Sequence, residues 1–308
     1  MREQHAKPEC HNKKRGNKAG IAIFKYALRL TGLKGAYGLL YFVCVYYTLF
    51  DYKSIRSAKA YLKRRFPQKG RVGLLFSVYR LFISQGKNLI DRYAMVTGIY
   101  HFDLDIVGDH ALDDVLASGQ GFVLLTSHTG NWQIVMAALK KWEKTVYLLM
   151  LPEQNQAMRD AVQVDVENSW VKTISPLQYL GGVVEMMKAL AQGHIVCIMG
   201  DRTYGADSVS VKFLGDDARF PYSAFKIAAM SKSPVAVMLS AKMDTYQYNM
   251  EIADVIYPEI TKRGEQRNLL LGWVQRYADV LEKYLQKYPF QYFVFNDLWS
   301  KNDEDFIG

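Results

Sequence analysis

From residue 72 onward, short apolar runs rich in β-branched residues alternate with stretches of helical period. The runs predict strands over Gly121–Thr126, Thr145–Met150, His194–Met199, Pro234–Ala241 and Tyr246–Ala253. Helices are predicted over Trp132–Trp142, Leu177–Gln192, Tyr222–Ser231 and Arg263 to about Tyr288. The last of these sets Leu269, Leu270, Trp273, Val274, Tyr277, Leu281 and Tyr284 on one helical face. Strands alternating with helices give an α/β fold: a central, mainly parallel or mixed sheet flanked by helices. In such sheets, sites lie beyond the carboxyl ends of strands.

The front of the chain has a different pattern. Residues 1–20 are polar and basic and read as a disordered arm. Ile21–Leu40 mixes apolar residues with Lys25, Arg29 and Lys34, and Gly35–Phe50 is the richest apolar run. Sixteen residues fall short of the ~20 that span a bilayer as a helix. A basic stretch follows, from Lys53 to Arg71. No small-x-small cleavage site follows the apolar run, which argues against a signal peptide. Residues 21–71 are therefore expected to form a membrane-associating helical segment that lies on or shallowly in the lipid surface. The competing reading is a basic core helix of a soluble fold. Residues 72–308 form the α/β domain.

Composition sharpens this division. The chain is 50% apolar and 22% charged, as a globular protein should be. Its formal charge of +9 is unevenly placed. Up to Arg71 there are 17 Lys and Arg against 3 Asp and Glu; the remainder carries 22 against 27. Such a basic segment favours anionic headgroups, while no RRM, zinc-finger or helix-turn-helix pattern points to nucleic acid. Cys10, Cys44 and Cys197 form no CxxC and no even framework, so a disulfide scaffold and a Cys-rich zinc site are excluded.

Candidate chemistry lies just after the strands. The first strand runs into Ser127-His128-Thr129-Gly130-Asn131, and a helix follows. The helix dipole favours a neutral His128 there, the form that a base needs. Gly130 permits a tight turn and Asn131 suits an N-cap. A His in such a turn can equally serve only as a hydrogen-bonding cap. A second strand ends in Gly200-Asp201-Arg202, an ion pair or a lining of the same cleft. Val211–Gly215 and Ala218–Pro221 read as loop before a helix. Asp103, Asp105, Asp113 and Asp114 read as turn and surface residues, and Arg159 as a solvated helix face.

In order and spacing, these pieces resemble a known family. They are the basic-apolar front end, Ser127–Asn131, Gly200-Asp201-Arg202, Phe213-Leu214-Gly215, Ala218-x-Phe220-Pro221 and the terminal aromatic run Tyr288–Phe295 with Trp299. The chain resembles bacterial lysophospholipid acyltransferase-like proteins of the lipid A biosynthesis (lauroyl/myristoyl) acyltransferase family. The resemblance implies transfer of an acyl group from an acyl-thioester, on acyl carrier protein or coenzyme A, to a hydroxyl of a lipid or glycolipid. It implies His128 as general base, with no metal, no cofactor beyond the thioester and no covalent enzyme intermediate. Asn131, Asp201, Arg202, Phe213 and Gly215 become candidate substrate-binding residues. The implied location is the cytoplasmic face of the inner membrane.

One departure stands out. The family pairs His with an acid five residues on, and here that position is Gln133. Gln133 is the expected partner of His128, able to orient the ring but not to supply charge. Three outcomes stay open: His128 works slowly unaided, another acid such as Asp201 takes the role, or the chain is a weak or inactive member that binds lipid or a partner. A thioesterase, with water replacing the acceptor, is a further alternative.

Overall fold

The computed structural model describes residues 18–150, 170–202, 207–260, 263–293 and 297–300. Three helices come first: α1 (Lys18–Phe50), α2 (Tyr52–Arg65) and α3 (Arg71–Val96). α1 is kinked at Gly32, whose φ of 69° breaks the helical run. It tolerates Lys25, Arg29 and Lys34, and so extends well beyond the sixteen-residue apolar run. By length and composition alone, Gly20–Phe50 could cross a membrane.

Nine strands follow among the described residues. They are β1 (Asp103–Val107), β2 (Phe122–Thr126), β3 (Val146–Leu149), β4 (Val171–Ile174), β5 (Ile195–Met199), β6 (Ser208–Phe213), β7 (Asp216–Pro221), β8 (Val235–Lys242) and β9 (Gln247–Ile256). Seven make one sheet in the order β1-β9-β8-β2-β5-β3-β4. Pairing is parallel except between β8 and β9, so the sheet is mixed. Every residue of β2 is buried, as expected of a central parallel strand covered on both faces.

Each of the five expected strands is present, with ends moved by at most a few residues. Two strands went unread. β1 alternates exposed Asp103, Asp105 and Val107 with half-buried Leu104 and Ile106; its acids sit on the outer face of an edge strand rather than in a turn. β4 is only four residues long. Val211–Pro221 is not loop but a hairpin of β6 and β7. Val211, Phe213, Ala218 and Phe220 alternate inward, and Leu214-Gly215 form a two-residue turn with φ of 52° and 86°.

The remaining α-helices among the described residues are α4 (Asp113–Ala117), α5 (Trp132–Val135), α6 (Val183–Ala191), α7 (Ser223–Ser231) and α8 (Gln266–Lys287). The helix expected over Trp132–Trp142 is one α turn followed by a 3-10 segment, Met136–Trp142. α1, α2 and α3 share one continuous buried core with α8 and one face of the sheet. A second core fills the other face around Phe122, Leu124, Cys197 and Met238.

β2 and β5 set the site. They run parallel in register, Thr126 opposite Met199, and both end there. The chain leaves them side by side, and Gly200 N–H donates to the Thr126 carbonyl at 2.8 Å. Gly200 has no room for a side chain: a Cβ would lie 2.6 Å from Leu125 Cδ1 and 2.9 Å from Tyr277 Cζ. Gly200→Ala should cost about 1–3 kcal/mol through overpacking. Thermal unfolding should show a melting temperature lower by roughly 1.5–5 °C. An unchanged melting temperature would mean that the β2–β5 exit is looser than described.

Candidate active site

His128 and Asp201 each stand two residues beyond a paired strand end, Thr126 and Met199. Equal offsets on neighbouring parallel strands bring the two together. Asp201 Oδ1 is 2.8 Å from His128 Nδ1, and its Oδ2 accepts the His128 backbone N–H at 2.7 Å. The carboxylate is wholly buried, whereas the ring keeps 19% of its surface exposed. A carboxylate only accepts, so Nδ1 carries the proton and Nε2 keeps the lone pair.

Burial holds the His128 pKa below its ordinary 6.5; Asp201 opposes this and the Arg202 charge adds to it. For Asp201, burial alone would raise the pKa. The His128 ring, the His128 N–H and the Arg202 charge outweigh it and hold the group below 3.8. The resting pair is therefore a neutral imidazole on an ionised carboxylate.

Ser127–Asn131 is clamped on all sides. The His128 carbonyl accepts from Phe293 N–H at 2.7 Å, and Gly130 N–H donates to the Gln291 carbonyl at 2.9 Å. The Thr129 carbonyl accepts from Ser240 Oγ at 2.9 Å. Gly130 has φ of 49°, and a Cβ there would meet the Ser240 carbonyl at 2.3 Å, so no larger residue fits the turn.

The other expected site residues fall in different places. Gln133 sits half-buried on the first turn of α5, but the bond to Nδ1 comes from Asp201 and not from Gln133. Asn131 is buried; its carbonyl oxygen caps α5 at Ile134 N–H and its amide donates to the Asn88 carbonyl. Both ends are engaged inside the protein, which leaves little for a substrate. Phe213 is wholly buried, stacked on Trp299 and edge-on to Phe220 and Tyr292. It belongs to the aromatic core, since no surface remains for a ligand. Gly215 is the tip of the β6–β7 turn. Arg202 is not in the ion pair with Asp201; its Nη2 donates to the Phe293 carbonyl at 3.2 Å. Its Nε is buried with no partner among the described residues. Arg159 and Phe295 lie outside the described residues.

Sequence reasoning missed Asn88, Ser240 and Gln291, which fix the turn from three separate elements. Two of them left a signal: Asn88, with Asp91, continues the inward α3 stripe of Leu74, Val78 and Leu81 at helical spacing, and Gln291 lies in the terminal aromatic run Tyr288–Phe295. A cavity of about 500 Å³ lies elsewhere, along α2, lined by Arg56, Lys59, Lys63, Arg64 and Asp297 among others, and includes neither His128 nor Asp201.

Comparison with known proteins gives the chemistry its class. The profile described as bacterial lipid A biosynthesis acyltransferase matches residues 16–301. The chain belongs to that family. It is an acyltransferase that acts on lipid. Among curated proteins none matches this acyltransferase significantly. One solved structure similar to it is the 1-acyl-sn-glycerophosphate (LPA) acyltransferase PlsC from Thermotoga maritima. Identity is 13%, coverage is 83% of this chain and 96% of that one, and the TM-score is 0.36.

The electrostatics of the acyltransferase's site can be read directly. NMR of the His128 ring should give a pKa below 6.5. In Asp201→Asn it should fall further, because burial and Arg202 then act unopposed. A pKa that rises in the variant would contradict the pairing.

Proposed function

We propose that this acyltransferase moves a fatty acyl group from an acyl-thioester, on acyl carrier protein or coenzyme A, to a hydroxyl of a lipid or glycolipid acceptor. His128 is the general base. The observation that carries this reading is the His128–Asp201 pair: a neutral imidazole, partly exposed, anchored at Nδ1 by a buried carboxylate.

The steps follow from that pair. Nε2 takes the acceptor hydroxyl proton as the oxygen attacks the thioester carbonyl. Asp201 steadies the imidazolium that forms and keeps the ring from turning. The carbonyl oxygen becomes an oxyanion, and Arg202 is our candidate to face it, since its charge stands beside His128 and its Nε has no partner among the described residues. Collapse of the tetrahedral intermediate breaks the C–S bond. The imidazolium returns its proton to the departing thiolate. No metal or further cofactor enters this scheme.

With Asp201 at Nδ1, the absence of an acid at position 133 no longer argues for a weak or inactive member. The non-catalytic, lipid-binding alternative would instead be favoured if wild type and His128→Ala bound lipid equally and neither transferred an acyl group. The deciding experiment incubates full-length protein with acyl-thioester and lipid acceptor and follows free thiol and acylated lipid by mass spectrometry. Wild type should form both in equal amounts, and His128→Ala neither. Thiol release without acylated lipid would make it a thioesterase. Because His128 must be neutral, kcat/KM should rise with pH through an apparent pKa below 6.5 and then level off. A rising limb centred well above neutrality would point to another base.

The front end has a second role in this reading, attachment to the cytoplasmic face of the inner membrane. α1 has two apolar faces. Leu33, Ala36, Tyr37, Leu40, Cys44 and Thr48 are buried, and Leu40 packs against Gly86 of α3. Phe42, Val45, Tyr46, Leu49 and Phe50 point outward and are exposed. A helix held along its inner face by α3 is poorly placed to cross a bilayer, so we read the outer face as lying in the lipid interface. Lys53, Arg56 and Lys63 of α2 are exposed beside it for anionic headgroups. In flotation with anionic vesicles the protein should rise with lipid. Phe42→Glu combined with Phe50→Glu should leave most of it at the bottom. Equal flotation of both proteins would exclude this face.

A further inference from the structure

Behind the site lies a buried polar cluster that the proposed reaction does not use. Asp91 on α3 is wholly buried, yet three side chains converge on it. Tyr37 Oη from α1 and Tyr248 Oη from β9 donate to its two oxygens. Lys242 Nζ, at the end of β8, donates to Oδ2 at 2.6 Å. One turn earlier on α3, Asn88 Oδ1 lies 3.2 Å from the same Tyr248 hydroxyl.

Asn88 then reaches the catalytic turn. Its Nδ2 donates to the Gly130 carbonyl at 2.5 Å, and its own backbone carbonyl accepts from Asn131 Nδ2 at 2.8 Å. These contacts bracket the two residues that follow His128 and Thr129. A buried carbonyl left without its donor costs free energy, so the turn has a single well-satisfied position only while Asn88 is there. Lys242 closes the circuit: its backbone N–H and carbonyl both bond the Gln291 side chain, and the Gln291 carbonyl takes Gly130 N–H.

We propose that Asn88 is a positioning residue for acyl transfer, holding the His128 turn in register with Asp201, and that Asp91 ties this turn to Tyr37 and so to the seating of α1. The inference rests on the reaction proposed for His128. Asn88 touches no reacting atom. It acts through the Gly130 carbonyl and the Asn131 amide. α1 carries the outward apolar face, so the helix that meets lipid and the turn that carries the base share one hydrogen-bonded network.

The test uses full-length protein in vesicles, with wild type, Asn88→Ala and Tyr37→Phe. Asn88→Ala should lower kcat tenfold or more while KM for the thioester changes less than threefold. Tyr37→Phe, which removes one hydroxyl on α1, should lower kcat at least threefold. NMR of histidine-labelled protein should show the His128 ring resonances displaced in both variants. A merely structural role would lower the melting temperature but leave kcat per folded molecule and the ring resonances as in wild type; that result overturns the proposal. Displacement in Asn88→Ala but not in Tyr37→Phe overturns the link to α1. Should Asn88→Ala fail to fold, Asn88→Ser, a smaller change that also removes the Nδ2 donor to the Gly130 carbonyl, takes its place. If wild type transfers no acyl group, the reaction reading falls, and the ring resonances alone decide whether Asn88 and Tyr37 position His128.

Discussion

A fully buried carboxylate survives in a protein only when its lost hydration is replaced, and Asp201 meets that condition at a single residue. It accepts both the backbone N–H and the ring N–H of His128. Remove the ring and a buried charge is stranded; remove the carboxylate and the ring loses its orientation and its tautomer. The rest of the architecture is arranged so that this double contact can exist. Two central strands run parallel, end level with one another and release their chains two residues short of the pair. Gly200 lets the second exit pass close to Leu125 and Tyr277. Phe293, Gln291, Ser240 and Asn88 then take up the polar backbone groups of the turn, from three different parts of the fold.

The same reasoning explains why the sequence was informative in some places and silent in others. β2, β5 and β8 are short continuous apolar runs bounded by Gly, Pro and His, and those runs and their bounds located them. The turn after β2 and the Gly200-Asp201-Arg202 exit could be named as sites because strand ends are where α/β sheets keep their chemistry. That the two touch was only one of the outcomes left open, since it depends on β2 and β5 being neighbours in register. Gln133 drew attention as the expected partner through its spacing from His128. Spacing along one chain could not reveal that the nitrogen in question was already taken by a residue 73 positions away. Phe213 looked like a site residue because it sits in a motif. Its burial among Phe220, Tyr292 and Trp299 shows that the motif records packing.

The front end shows a related limit. Its apolar run and basic flank were plain in the residues, and both suggested lipid. Composition cannot separate a helix that crosses a bilayer from one that rests on it. The structure adds that α1 has an inner face committed to α3 and an outer face committed to nothing among the described residues, which is the basis of the interfacial reading proposed above. Tyr37 sits on the inner face and reaches Asp91. On the proposed reading, attachment and catalysis would meet in one helical bundle rather than in two separable modules.

Asp201, and not position 133, is the carboxylate placed at His128 Nδ1. The most direct measurement compares acyl-transfer rates of wild type, Asp201→Asn and Gln133→Glu at saturating thioester and acceptor. Asp201→Asn should lose about 10⁴ in kcat, the scale seen when a base histidine loses its carboxylate. Gln133→Glu should change kcat by less than about threefold, under 1 kcal/mol in the barrier. A wild-type rate in Asp201→Asn, or a large gain in Gln133→Glu, would contradict this assignment.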